Sequence, residues 1–496
     1  MELLLSAILG DLTSRSINFI INKVSDSKPP ALAVNDSLQR VLLRAQVIID
    51  EAMGKHITNQ AMLLRLNMLR DAVHRGHYVL DTFRYQHQDE EDAKDQAVSH
   101  SSSLSKVNSA MRHCFSSRGA QDLKELQETL ENLSSMILDA NELVMFLTRC
   151  SRLYRQPYSM HLQLCNCMFG RQMEVELVIN FLLRPQSHGA EELEFMPIIG
   201  PCQVGKSTLV THVCKDERVR GHFSKNIVFF RIHGFTDDEL AIFREGCTVK
   251  LQNHTSDMKK DGRLLVIIEL DGDLNEEALD RLHFASKQYA PRGSKLIVTS
   301  RFDNIVKFGS TQALTLKYLS NEAYWYFFKT LTFGSMDPEM HPRLMHFAME
   351  IARMQKCSFV GANIVSRLLR DNFDAQFWLK VLAFLKGLTQ ERVSRFEHPF
   401  DLLRQNRPTH LGRMATPSED VVVYHQHQCY SEEEVPKLRL QDVLYGSIKP
   451  HGNFKVLVWK SLIPPYSSYV YSCEIRELKT TTAKRKRPTE SGITLC

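Results

Sequence analysis

The sequence predicts a multidomain α and α/β protein: a helical N-terminal region, a parallel α/β sheet with a helical annex, and a small β-rich C-terminal segment. Three observations predict it. Apolar residues recur at alternating steps of three and four through residues 1–150, the spacing of a single helix face. Between residues 170 and 312, short apolar runs alternate with helical patterns, as in a parallel, doubly wound sheet. Beyond residue 400, β-branched and aromatic runs broken by prolines replace the helical spacing. With 496 residues and about 150 residues per domain, roughly three domains are expected.

In the helical region, 1–150, Leu123, Leu126, Leu130, Leu133 and Ile137 form one stripe, and Leu66, Leu69, Val73, Leu80 and Phe83 a second. Both read as the core of a bundle. Residues 87–120 between them are polar and Ser-rich, with Asp89-Glu90-Glu91-Asp92 and Ser101-Ser102-Ser103, and are expected as a mobile linker inside it. A linker over 151–169 precedes the α/β domain, 170–312. Its strands are expected at Phe195–Ile199, Ile227–Ile232, Leu264–Ile268 and Lys295–Thr299. The helical annex, 313–395, carries a dense aromatic cluster, Tyr318, Tyr324, Trp325, Tyr326, Phe327 and Phe328, expected as core or interdomain packing. In the β-rich segment, 396–480, Val421–Tyr424 and Phe454–Trp459 read as strands. The tail, 481–496, is basic and expected to be disordered.

Composition narrows the class. The chain is 43% hydrophobic and 24% charged, ordinary globular usage. A net charge of +5, from 62 Lys+Arg against 57 Asp+Glu, argues against a dedicated nucleic-acid binder. The 11 cysteines are odd in number and irregularly spaced, which fits a reducing compartment rather than a disulfide framework. No run approaches the ~18 apolar residues of a membrane span. Asp11 interrupts the apolar start and no basic flank precedes it, so no secretory signal is expected. These features imply a cytoplasmic protein. Lys484-Arg485-Lys486-Arg487-Pro488 reads as a solvated terminus or a nuclear address.

The sharpest motif is Gly200-Pro201-Cys202-Gln203-Val204-Gly205-Lys206-Ser207. It fits G-x-x-x-x-G-K-S/T, follows the strand Phe195–Ile199 and opens a helix at Thr208, the context of a P-loop NTPase. Such a loop turns backbone N–H groups around a phosphate, and the helix dipole adds to the attraction. Phosphate binding is therefore expected from Gly200, Gln203, Val204, Gly205, Lys206, Ser207 and Thr208. Lys206 would neutralise the outer phosphates, and the Ser207 hydroxyl would ligate Mg²⁺. An acid at a neighbouring strand tip must help hold the metal. Glu269, directly after Leu264–Ile268, is the first candidate, and Asp271 the alternative. No second acid or glutamine is identifiable to activate water, so turnover is expected to be slow at most. Arg301, at the C-terminal edge of Lys295–Thr299, points toward the nucleotide crevice of an open sheet and could sense the terminal phosphate. His425, His427 and Cys429 alternate along a strand, but no further ligand cluster has zinc-like spacing, so plain strand surface is the expectation.

The order of these motifs resembles plant intracellular immune receptors of the nucleotide-binding leucine-rich-repeat class, in their coiled-coil branch. Phe169-Gly170-Arg171 is similar to that family's linker motif. The phosphate loop, the strand with Glu269, Gly293–Arg301, Leu316-Lys317-Tyr318-Leu319-Ser320 and Phe333-Gly334 follow in its order. Leu69-Arg70-Asp71-Ala72 and Val79-Leu80-Asp81-Thr82-Phe83 resemble the signature of its Rx-type N-terminal four-helix domain. The resemblance covers roughly residues 1–390. It implies an NB-ARC switch in which ADP holds an inactive state and ATP, with Mg²⁺, an active one. It also implies that Phe359, in Cys357-Ser358-Phe359-Val360-Gly361, lies on the adenine side where the family has a proline.

The chain departs from the pattern in several places. Cys202 and Gln203 stand where the family carries glycines, and Leu270 where it carries a second acid. His74, Arg75, His77 and Tyr78 replace an acidic face. Neither a Met-His-Asp motif nor a leucine-rich frame is present, so the chain reads as a diverged, truncated member. The expected function is an ADP/ATP-binding regulator in plant defence signalling, working through immune receptors or other helical signalling proteins at residues 1–150. Its alternatives are a nucleotide-free helical scaffold and a signal-transduction ATPase with another role.

Overall fold

A computed structural model describes residues 31–86, 107–151, 169–185, 193–223, 226–252, 263–291, 293–393, 402, 407–429, 434–446, 448–461 and 467–477. The acidic and serine runs of residues 89–103, the basic tail and most of the 151–169 linker lie outside them. The chain divides into two units, residues 1–382 with 459–467, and residues 383–458 with 468–496.

Among the described residues, the first unit begins with the helices α1 (Ala31–Met53), α2 (Gln60–Gln86), α3 (Val107–Asp139) and α4 (Asn141–Arg149). Both predicted stripes face their shared core: Leu126, Leu133, Leu69 and Val73 are at most 2% exposed. The α1 and α2 backbones approach closely at Gly76, where an added Cβ would sit 2.6 Å from the Leu42 side chain. Residues 107–120 correct the linker expectation, because they are the first turns of α3. Elongation from an already packed helix costs far less than nucleating one, so a polar stretch continues the helix that Leu123–Ile137 anchors.

After α5 (Gln172–Leu183) come β1 (Glu194–Ile199), α6 (Lys206–Lys215), α7 (Glu217–Phe223), β2 (Ile227–Ile232), α8 (Asp237–Gln252), β3 (Leu265–Leu270), α9 (Glu276–Tyr289), β4 (Lys295–Ser300) and β5 (Leu314–Thr315). The sheet order is β2-β3-β4-β1-β5, and every recorded pairing is parallel. Central strands are largely buried because helices cover both faces; all six residues of β4, Lys295, Thr299 and Ser300 included, are buried. The short β5 lies in a stretch expected to be helical. It joins the sheet because Leu314 and Thr315 pair with Ile198 and Ile199.

The annex comprises α10 (Asn321–Phe333), α11 (Pro342–Met354), α12 (Phe359–Asp371) and α13 (Ala375–Val393), the last running beyond the first unit. Tyr324, Trp325, Phe327 and Phe328 are buried, as the aromatic density predicts. Part of what buries them is α2. The Asp81 carboxylate accepts from Trp325 Nε1 at 2.8 Å and from Lys329 Nζ at 2.5 Å. The His74 and His77 rings lie 5.1 Å from that of Tyr326. Burial, reinforced by neighbouring cations, pulls His74 down to about 3 and His77 to about 4. The departures at residues 74 and 77 therefore have a structural cause: both side chains meet an aromatic annex, His74 buried and His77 half-buried.

The second unit holds an antiparallel sheet, β6 (Thr409–Gly412), β7 (Glu419–Cys429), β8 (Asn453–Lys460) and β9 (Ser468–Glu477), ordered β6-β7-β9-β8, with a short α14 (Leu440–Leu444). Inside it, buried Arg413 donates to the carboxylate of Glu419 and, through Nε, to the Val443 carbonyl at 2.9 Å.

Candidate functional site

The phosphate loop leaves β1 and returns as α6. Gly200 cannot carry a side chain, since an added Cβ would meet the Leu316 carbonyl oxygen at 2.5 Å. Gly205 caps α6 with φ 96° and ψ 24°, a left-handed conformation that costs glycine little. No side chain caps that helix start. The first-turn N–H groups of Lys206, Ser207 and Thr208 therefore have no capping side chain, as an anion site requires. Gln203 adopts φ 59°. The loop demands a left-handed residue at the place where the sequence departs from glycine, and a residue with a Cβ pays about 1–3 kcal/mol of strain there. Val204 is fully buried beneath the loop.

Lys206 arches over the loop, its Nζ donating to the carbonyls of Gly200 at 2.6 Å and Pro201 at 2.8 Å. Burial, with the Arg301 charge adding to it, pulls its ammonium down to about 8. The Ser207 hydroxyl donates to Oε1 of Glu269, at the end of β3. Arg301, just past β4, donates through Nη2 to the Asp271 carbonyl at 3.0 Å. The structure thus brings together Lys206, Ser207, Glu269, Asp271 and Arg301, residues spread over roughly a hundred positions of sequence, at the C-terminal edge of a parallel sheet, where such folds bind ligands.

Phe359 belongs to the annex. It opens α12 and its ring lies 5.3 Å from that of Phe327. No hydrogen bond or ring contact joins it to the phosphate loop among the described residues. His425 and His427 lie side by side on β7 with centroids 5.7 Å apart. No three His, Cys, Asp or Glu residues gather as a metal site among the described residues.

Two residues that sequence reasoning passed over belong to the site. Arg231, in β2, donates through Nη2 to Oε2 of Glu269 at 3.1 Å, and its Nε lies 3.7 Å from Oδ2 of Asp271. His233 Nε2 is 3.4 Å from the same Asp271 oxygen. The available signal was a lone arginine inside the otherwise apolar run Ile227–Ile232. The loop and the uncapped helix fit a nucleotide's phosphates. The acids fit a divalent metal poorly, because each already faces an organic cation.

The loop connects to the annex and the linker through its flanks. Tyr318 donates its hydroxyl to the Cys202 carbonyl at 3.0 Å, Arg171 donates to the Lys317 carbonyl, and the Phe169 ring stacks 6.1 Å from Tyr326.

Residues 171–337 match the NB-ARC domain. The chain is 25% identical to disease resistance protein RGA2 of Solanum bulbocastanum, over 38% of this chain and 20% of that protein. It is 28% identical to putative disease resistance protein RGA4 of the same species, over 42% of this chain and 22% of that protein. The chain thus spans about a fifth of the length of these curated relatives. Among solved structures, the Aeropyrum pernix ORC2 protein in its ADPNP–ADP complexes aligns at 13% identity and a TM-score of 0.30, over 44% of this chain and 68% of that one. Residues 171–337 are thus similar to the NB-ARC domain, and part of the chain is similar to plant disease resistance proteins. No helix among the described residues is long and apolar enough to cross a membrane.

Proposed function

We propose that this chain is an ADP- or ATP-binding regulator in plant defence signalling, whose nucleotide state sets how the annex and the N-terminal helices are held. One observation carries the reading: a glycine-shaped loop ends in an uncapped helix start, with Lys206 above it and Ser207 on an acid, inside the segment that matches NB-ARC. The contacts Cys202–Tyr318, Lys317–Arg171 and Phe169–Tyr326 support a regulatory role, since they run contiguously from the loop to the annex helix that holds α2. Partners are other immune receptors or helical signalling proteins met through the N-terminal bundle. Hydrolysis is slow, because no residue among those described is placed to activate water, and a switch is served by a long-lived bound state.

Denaturing the purified protein and identifying what it releases tests the reading. The wild type is expected to yield ADP or ATP near one per chain. Lys206→Ala should yield almost none, because truncating a buried, hydrogen-bonded charge costs about 2–5 kcal/mol of affinity. Wild-type protein that releases no nucleotide and takes none up would leave the helical scaffold as the better account.

A further inference from the structure

The pairing of β2 with β3 sets a basic residue against the acids of the phosphate loop. The parallel register puts Arg231 opposite Glu269, each one position before the end of its strand. One oxygen of Glu269 accepts from Arg231 at 3.1 Å and the other accepts from Ser207. Asp271 faces Arg231 at 3.7 Å and His233 at 3.4 Å. Both carboxylates that a P-loop would offer to a divalent ion are thus engaged by side-chain nitrogen groups.

That arrangement decides between two cations. Mg²⁺ requires near-octahedral oxygen ligands and gives up its water reluctantly. Here it would have to share Glu269 with a guanidinium a few ångströms away, a like-charge encounter, or expel it. Arginine stays protonated at any accessible pH and matches carboxylate and phosphate oxygens with a planar fork. It is also held by backbone register, whereas a metal must be captured from solution.

We infer that Arg231 is the resident cation of the phosphate site, taking the place of the divalent metal, and that the chain binds nucleoside di- and triphosphates without one. The inference rests on the phosphate loop being a nucleotide site. It makes the Ser207–Glu269–Arg231 row a specificity determinant: the row rejects free divalent ions at the strand tips and leaves the nucleotide's charge to Lys206, Arg231 and the helix start.

The test titrates the full-length, nucleotide-stripped chain with fluorescent ATP and ADP analogues, once in EDTA and once in excess Mg²⁺. Manganese binding without nucleotide is followed in parallel by electron paramagnetic resonance. For the wild type, dissociation constants in the two buffers should agree within about threefold, and no tight Mn²⁺ site should be present. Arg231→Gln should lose about tenfold or more in EDTA, the loss expected when a charge partner is removed. It should recover in Mg²⁺ and gain one Mn²⁺ site that a further Glu269→Gln removes. Arg231→Lys, which keeps the charge, guards against a folding defect and should retain binding in EDTA. A wild type that binds ATP well in Mg²⁺ but loses tenfold or more in EDTA overturns the inference and leaves the nucleotide reading intact. So does a tight wild-type Mn²⁺ site that Glu269→Gln abolishes. Failure to bind nucleotide in either buffer overturns both.

Discussion

Two charged clusters in the first unit use the same chemistry in different settings. On α2, Asp81 faces Lys329 and Trp325, with only 7% and 15% of the two ionic side chains exposed. At the strand tips, Arg231 and Glu269 remain 34% and 28% exposed. The buried cluster is satisfied by a fixed set of partners and holds two parts of one unit together. The half-exposed one is open to water and to an incoming ligand. Burial decides which cluster serves structure and which can serve binding, because desolvation makes an unpaired charge expensive in the first place and affordable in the second.

The sharpest way to break that contrast is Asp81→Ala. It leaves the Lys329 ammonium and the Trp325 N–H facing a hole, and should cost about 3–5 kcal/mol in denaturant unfolding, the usual penalty for breaking a buried pair. If the loss stayed below about 1 kcal/mol, a surface-pair value, the two clusters would be energetically alike. Acidification is the next largest effect. His74 and His77 titrate near 3 and 4 in the fold against an ordinary value of 6.5, so the unfolded chain takes up protons first. Stability is then full above about pH 6.5 and falls as the pH drops through the window down to about 4. Melting temperatures from pH 7 to 5 check this, and His74→Phe should flatten the slope.

Smaller effects belong to the loop region. Gln203→Gly relieves a left-handed residue and gains chain entropy in the unfolded state, two opposed terms of about 1 kcal/mol each. The net change in melting should be small, while nucleotide affinity should rise as the backbone settles around phosphate. Arg231→Gln should be the mildest in stability, within about 1 kcal/mol by denaturant unfolding, even though it changes metal dependence.

Much of the site was legible in sequence because its parts are local. Gly200 to Thr208 are contiguous, and a strand before them and a helix after them suffice to aim their N–H groups. Glu269 and Arg301 could be placed because each ends an apolar run, and parallel strands end at the same edge. Phe359 was placed on the adenine side by resemblance alone. In the structure it lies beside Phe327, since α12 packs on α10 and carries the side chain with it.

What the sequence by itself determined is whatever periodicity and contiguous motifs encode: the helix stripes, the four long parallel strands, the phosphate loop and the β-type runs after residue 400. Tertiary structure alone decided which charges meet. Arg231 reaches Glu269 across 38 positions only because β2 and β3 pair in one register and not its neighbour, and a shift by one residue would turn the guanidinium to the other face. Asp81 reaches Trp325 across 244 positions only because α2 docks on α10. No local pattern encodes a partner so distant, since the free energy that selects it comes from packing two apolar surfaces and from satisfying the polar groups trapped between them.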